Sequence, residues 1–392
     1  MKIVTIIGAR PQFVKAAMVS RAIQRFNQAS GEGGLNQRIV EILVHTGQHY
    51  DYMMDRVFFE ELDMPDPCHH LGAGSGSHGV QTGTMLERLE PVLAKEKPGA
   101  VLVYGDTNST LAGALAAAKM HIPVAHVEAG LRSYDRRMPE EINRVLTDHL
   151  STVLFCPTEE AVLNLAGEGI RHGKGDRWVK QVGDVMHDAI LFYSRIADQK
   201  STLLQEMGIA AGDGRRKRDF YLATIHRAEN TDDPERLKSI LRALDEIGKK
   251  VPVVLPLHPR TRKRMEALHL DPGRGNVVIL EPVSYLNMLK LEKDARAILT
   301  DSGGIQKEAY WLRVPCVTLR EVTEWGYTVE SGWNTLAGWK TRDILRAVRD
   351  LSRSEGKKEK VPREKPASDK IVRILYDRIR QKGNRGRKSR LS

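Results

Sequence analysis

The chain has 392 residues, longer than the ~100–200 of a usual single domain, so two domains are expected. Its 61 basic and 50 acidic residues give a formal net charge of +11, which raises an anionic ligand or nucleic acid; no interleaved aromatics or known modules support nucleic acid. Three widely spaced cysteines, Cys68, Cys156 and Cys316, argue against a disulfide framework, and no stretch reaches the ~18 apolar residues of a membrane span.

The first apolar run stops at Gly8, too short for a signal peptide, and a cytoplasmic protein is expected. Residues 3–7 read as a buried strand, Gly8-Ala9-Arg10-Pro11 as a tight turn and 11–28 as a helix, the usual opening of a doubly wound α/β domain. Arg10 sits beside a helix N-terminus, whose dipole and N–H groups favour phosphate. Lys15 lies one helical turn on. The spacing equally allows both to be surface residues of an amphipathic helix.

A second strand over 38–44 leads to His45-Thr46-Gly47-Gln48-His49, then a helix over 52–62. The glycine-rich 71–79 lacks GxxxxGK[ST], which excludes a nucleoside triphosphate loop of that type. A helix over 80–95 follows.

Residues 101–144 carry the densest chemistry. A β-rich run, 101–103, ends in Gly105-Asp106-Thr107; 108–120 is helical; a second run, 122–127, ends in Glu128-Ala129-Gly130. Ligand crevices in open α/β sheets lie outside the carboxyl ends of strands, so Asp106 and Glu128 are expected to face one cleft. Glu140 begins the next helix after Pro139, whose fixed φ suits a first turn. Arg132, Arg136, Arg137 and Arg144 lie close in sequence, available to hold an anion.

After a strand over 152–156 and a helix from Thr158, the Gly and charge cluster at 169–176 marks the domain boundary, set at 178/179. The second half repeats the alternation, with strands over 179–183, 220–224, 253–257, 276–280, 297–300 and 314–319; 200–219 reads as an exposed linker with a basic RRKR patch. His226 and His258 follow strands. Asp301-Ser302-Gly303-Gly304 opens a helix, either as an anion cradle or as a plain capped turn. Domains over 1–178 and 179–365, a closing helix over 366–382 that packs back on the first domain, and a solvated basic tail over 383–392 complete the expectation.

Laid in order, GARPQFVKAA, VYGDTNST, HVEAGLR, MPEEINR, IHRAEN, LHP and DSGGIQKEA resemble the non-hydrolysing UDP-N-acetylglucosamine 2-epimerase family, from Lys2 to about Gly338. The resemblance implies two Rossmann-like α/β domains facing across a cleft in the GT-B arrangement, a homodimer, no NAD or other cofactor and no obligatory metal. It implies interconversion of UDP-GlcNAc and UDP-ManNAc for cell-surface polysaccharide synthesis. Asp106, Glu128, Glu140 and His226 match the family's catalytic groups, and Arg10, Ser302, Gly304 and Glu308 its UDP contacts, with Lys15, Arg144 and His258 as further cleft residues. Gln12 stands where better-known members have Glu, and Thr323-Glu324-Trp325 replaces their Thr-Glu-Arg-Pro. The 133–144 loop, HRAENTDDP and TEW resemble most the branch acting on UDP-2,3-diacetamido-glucuronic acid, and Arg136 and Arg137 are candidates to hold its extra carboxylate, unless they only form surface ion pairs.

The residues agree with the chemistry. Inversion at carbon 2 by transient oxidation calls for a dinucleotide and usually GxGxxG, but the first turn here is GARPQF. Elimination of UDP across C1–C2 and re-addition needs a base, an acid and cations or dipoles at the diphosphate. A GT-B glycosyltransferase remains the competing expectation and would not need three acids near carbon 2.

Overall fold

The computed structural model describes residues 1–32, 38–48, 59–209, 220–270, 276–351 and 365–388. The RRKR patch, His49 and most of the helix expected over 52–62 lie outside them. The chain divides into two compact units, Met1–Ala189 with Glu364–Ser392, and Ile190–Arg363.

The first unit holds a seven-stranded sheet of β1 (Lys2–Ile7), β2 (Val40–His45), β3 (His69–His70), β4 (Ala100–Tyr104), β5 (Val124–Val127), β6 (Val153–Cys156) and β7 (Trp178–Gln181) in the order β3-β2-β1-β4-β5-β6-β7. All pairings are parallel. Helices cover both faces of such a sheet, so its strands are near-continuous apolar runs rather than alternating ones: Ile3, Val4, Ile6 and Ile7 are fully buried, as are Val101, Leu102 and Val103. The strand order reverses beside β1, which lies between β2 and β4.

The second unit repeats the plan with β8 (Tyr221–Thr224), β9 (Val253–Pro256), β10 (Val277–Leu280), β11 (Ala297–Thr300), β12 (Cys316–Thr318) and β13 (Asn334–Leu336), all parallel, in the order β10-β9-β8-β11-β12-β13. Its reversal lies beside β8. Both units are thus Rossmann-like, each with a switch point where ligand crevices form.

The boundary falls at Ala189/Ile190 rather than at 178/179, because β7 completes the first sheet by pairing with β6 and the chain then enters a helix, Val185–Lys200. The segment expected as a linker from residue 200 begins instead with a short helix, Leu203–Glu206, whose Leu204 is buried.

The last helix, Ala367–Lys388, belongs to the first unit. Asp188 accepts the Ala367 and Ser368 N–H groups at 3.1 and 2.7 Å, satisfying donors a helix start leaves unpaired. Ile371, Val372 and Leu375 are buried, Tyr376 meets Phe26 at 5.0 Å between ring centroids, and Arg25 pairs with Asp369 at 2.6 Å. The helix runs through Lys388, so the tail expected from 383 starts out helical.

Candidate functional site

In the first unit the acids stand at the carboxyl ends of neighbouring strands. Thr107 caps the helix Asn108–Lys119 through a reciprocal pair with Thr110, which ends β4 sharply and leaves Asp106 in the turn. Arg144, from the helix Pro139–Leu150, donates to Asp106 through Nη2 and to Glu141 through Nη1, the latter at 2.9 Å. Asn143 from the same helix donates to the Asp106 carbonyl at 2.9 Å. Burial depresses the Arg144 pKa, but the two carboxylates more than offset it and hold the guanidinium firmly charged.

Glu128 follows β5 with φ 74°, a left-handed backbone rarely adopted outside glycine. Its carboxylate accepts from Lys15 Nζ, and both side chains are largely enclosed. Lys15 is brought there by the helix Arg10–Glu32. Asp106 and Glu128 therefore each stand beside a cation, and Lys15 is an interior partner rather than a surface residue.

Arg10 is half-buried in the first turn of that helix. The backbone N–H groups of Gly8 and Ala9 are taken by Gln12 Oε1, at 2.8 and 3.1 Å. Gln12, 1% exposed, donates in turn to the Tyr104 carbonyl and Thr110 Oγ1. A Glu here could not make those two donations, so the departure at position 12 is explained by internal bracing.

Glu140 is exposed at the start of its helix, whereas the neighbouring Glu141 is buried and accepts from Ser133 N, Ser133 Oγ and Tyr134 N at 2.9, 3.0 and 3.0 Å. Burial raises the Glu141 pKa, but these donors and Arg144 outweigh it and the carboxyl lies below its ordinary value. Arg132 does not face a ligand: its guanidinium is enclosed and donates to Asp148 at 2.7 Å and to Glu168 at 2.6 and 2.8 Å. Arg136 is exposed; Arg137 is 91% exposed and paired with Asp135 at 2.8 Å, an interaction that pulls the Asp135 carboxyl down to about 2.

In the second unit the groups gather at β8, β9 and β11. Asp301, fully buried, accepts the His226 and Arg227 N–H groups and the Asn230 amide at 3.0–3.1 Å, and its Oδ1 lies 3.3 Å from His226 Nδ1. Asp301 thus fixes the His226 loop, and Ser302 rather than Asp301 caps the helix Gly303–Leu312. Burial, with positive neighbours, lowers the His226 pKa despite Asp301, so its imidazole is neutral near pH 7 and able to accept a proton. His258 caps the helix Pro259–Ala267 and its ring lies 5.7 Å from that of His226.

Gly303 is closely overlaid: an added Cβ would come within 3.0 Å of Trp325 Nε1. Gly304 is exposed beside Ser302, leaving the helix start open to an anion. Glu308 lies further along that helix, and burial pushes its carboxyl up, as it does more strongly for fully buried Glu292, whose pKa the charge of Glu308 raises further. Asp148, Glu141, Gln12 and Glu292 were not legible as site-building residues; a buried acid or amide next to a motif was the only available signal. Among the described residues no group of three or more His, Cys, Asp or Glu is arranged to hold a metal ion, and no helix is long and apolar enough to cross a membrane.

The family model described as UDP-N-acetylglucosamine 2-epimerase matches residues 34–376. A UDP-N-acetylglucosamine 2-epimerase homolog of Methanococcus maripaludis is 52% identical over 352 residues, covering 89% of this chain and 92% of that protein. The UDP-2,3-diacetamido-2,3-dideoxy-D-glucuronate 2-epimerase of Pseudomonas aeruginosa is 52% identical over 346 residues, covering 88% and 90%. The crystal structure of Methanocaldococcus jannaschii UDP-GlcNAc 2-epimerase in complex with UDP-GlcNAc and UDP superposes with a TM-score of 0.80 at 44% identity, covering 96% of this chain and 99% of that one. With its two Rossmann-like units and its acids and His at the strand ends, this chain belongs to the UDP-N-acetylglucosamine 2-epimerase family.

Proposed function

We propose that the protein epimerises carbon 2 of a UDP-acetamido sugar, UDP-GlcNAc to UDP-ManNAc foremost, in the cytoplasm, supplying precursors of cell-surface polysaccharide. The observation that carries this reading is the pair of strand-end carboxylates, Asp106 and Glu128, each held beside a cation within a member of this family. One carboxylate takes the C2 proton while the C1–O bond breaks and UDP leaves with its electron pair, forming the C1–C2 double bond of 2-acetamidoglucal. UDP then attacks C1 and a proton is delivered to C2 from the opposite face. Glu140 and neutral His226 are the remaining groups for proton transfer, and Arg10, Ser302, Gly304 and Glu308 bind the uridine diphosphate, with Lys15, Arg144 and His258 in support. The reaction calls on no cofactor.

The test is turnover in deuterium oxide with no dinucleotide added. Deuterium should enter at C2 of the product. Retention of the original hydrogen, or turnover only with an added acceptor, would rule the reading out.

A second reading, the same reaction on UDP-2,3-diacetamido-glucuronic acid, is favoured by the 52% identity to the Pseudomonas aeruginosa enzyme. On that reading Arg136 or Arg137 pairs with the sugar carboxylate, Arg137 exchanging its local partner Asp135 for it. Side-by-side kcat/KM for both sugars decides: the uronate should win by more than about tenfold and lose that lead in Arg136→Ala or Arg137→Ala. Equal or better turnover of UDP-GlcNAc defeats it. The partner in solution is a second copy of this chain, for which Ile142 and Leu146, one helical turn apart and each 46% exposed, offer apolar surface; sedimentation showing a monomer at micromolar concentration would contradict this.

A further inference from the structure

The turns that carry Asp106 and Glu128 are joined beneath the strand ends by a buried charge cluster. His126, in the middle of β5 and fully enclosed, lies 2.7 Å from Asp148 Oδ1 through Nδ1 and 2.7 Å from the Gly105 carbonyl through Nε2. A carbonyl oxygen has no proton to offer. Burial raises the Asp148 pKa, but His126 and Arg132 outweigh it and hold the carboxyl below its ordinary value, so Asp148 is an acceptor as well. Both ring nitrogens therefore face acceptors and serve as the donors. The facing charged and titratable groups are Asp148, Arg132, which also pairs with Glu168, and the Cys156 thiol. Arg132 thus meets two carboxylates and His126 donates to one of them, Asp148, which is how buried charge is tolerated.

The two ends of this cluster are specific. Gly105, φ 63°, immediately precedes Asp106. Asp148 Oδ2 accepts the N–H of Gly130 at 3.1 Å, and Gly130, φ 83°, is two residues beyond Glu128. Register already sets Tyr104 beside Val127, and the Gly105 N–H donates to the Val127 carbonyl at 3.0 Å. Beyond that bond the strands stop, and the Gly105–His126–Asp148–Gly130 chain continues the connection into the turns.

We infer that His126 is a positioning residue, whose doubly donating ring, braced by Asp148, fixes the spacing of the Asp106 and Glu128 carboxylates. This rests on the epimerase reading. Displacement of reacting groups by about 1 Å costs up to roughly 100-fold in rate, so the effect falls on the chemical step.

The test is His126→Asn in the full chain, with wild type alongside. The amide keeps one donor and loses the other. The variant should stay folded and bind UDP as wild type does, with kcat down roughly 10- to 100-fold, KM within about threefold, and the acid limb of the kcat profile displaced. Nitrogen-15 NMR of the wild-type ring should show an N–H proton on each ring nitrogen. A folded variant with wild-type kcat and an unmoved acid limb overturns the inference. So does a wild-type ring with a single N–H, and that measurement decides the matter if His126→Asn fails to fold. Wild-type protein inactive on every UDP-acetamido sugar would sink the epimerase reading, whereas the NMR result reads the ring independently of it.

Discussion

Lys15 reaches from the first helix to the carboxylate of Glu128, a residue whose own backbone is left-handed. A non-glycine residue in that region costs of order 1–3 kcal/mol and persists only where its surroundings hold it. Here the Glu128 and Ala129 N–H groups both donate to the Phe155 carbonyl at 3.1 Å, and the lysine holds the side chain.

The first prediction concerns roles. Asp106→Asn, Glu128→Gln and His226→Asn should each lower kcat by roughly 10² or more with the fold intact, the loss expected when acid–base catalysis is removed. Steady-state kinetics with circular dichroism as a control checks it. A variant turning over at the wild-type rate removes that residue from the catalytic set.

Glu141 should matter through folding. Its buried carboxylate serves three donors in the 133–134 turn as well as Arg144, so Glu141→Ala should destabilise by on the order of 3 kcal/mol, measured by urea unfolding. Because its folded pKa is depressed, its contribution is present above about pH 4.5 and is lost as pH falls through the folded value. The gap between wild type and Glu141→Gln should therefore narrow in acid; a gap that widens would contradict the assignment.

His226 also has a depressed folded pKa, and the sign follows in the same way. The unfolded chain binds the proton first, below about pH 6.5, and the wild type then loses stability that His226→Asn does not. Thermal melts at about pH 7.5 and 5.5 should show the larger drop in the wild type. Equal drops would mean that the imidazole titrates normally.

Gly130→Ala should be among the most damaging single changes in the first unit. The position has φ 83°, and a Cβ there would overlap the Ala161 carbonyl. A loss of roughly 2–4 kcal/mol is expected by denaturant unfolding. A loss below about 0.5 kcal/mol would show that the Ala161 segment yields easily.

What the sequence disclosed and withheld follows from periodicity. Buried parallel strands such as β1, β4 and β11 are nearly continuous apolar runs, and Asp106, Glu128, His226 and His258 follow such strands, so the sheets and most site residues are readable. Two-residue β3 has no period to detect, and β13 lies among Gly332, Trp333 and Gly338, which read as turn. The internal roles of Glu141 and Arg132 are hidden in the sequence for another reason. Adjacent residues on a helix point in different directions, so Glu140 and Glu141 look equivalent in the motif while one faces solvent and the other is buried. Arg132 reads as a free cation until Asp148, sixteen residues on, is folded against it.

The return of the last helix to the first unit bears on how the protein is made. Domains emerging from the ribosome usually fold in order, the N-terminal one first. Here Ile371, Val372 and Leu375 belong to the interior of the unit that begins at Met1. The sheet of the first unit must therefore wait, with part of its apolar surface uncovered, until the second unit has been synthesised and the chain has reached Leu375, and a stop just before Ala367 would injure the first unit more than the second.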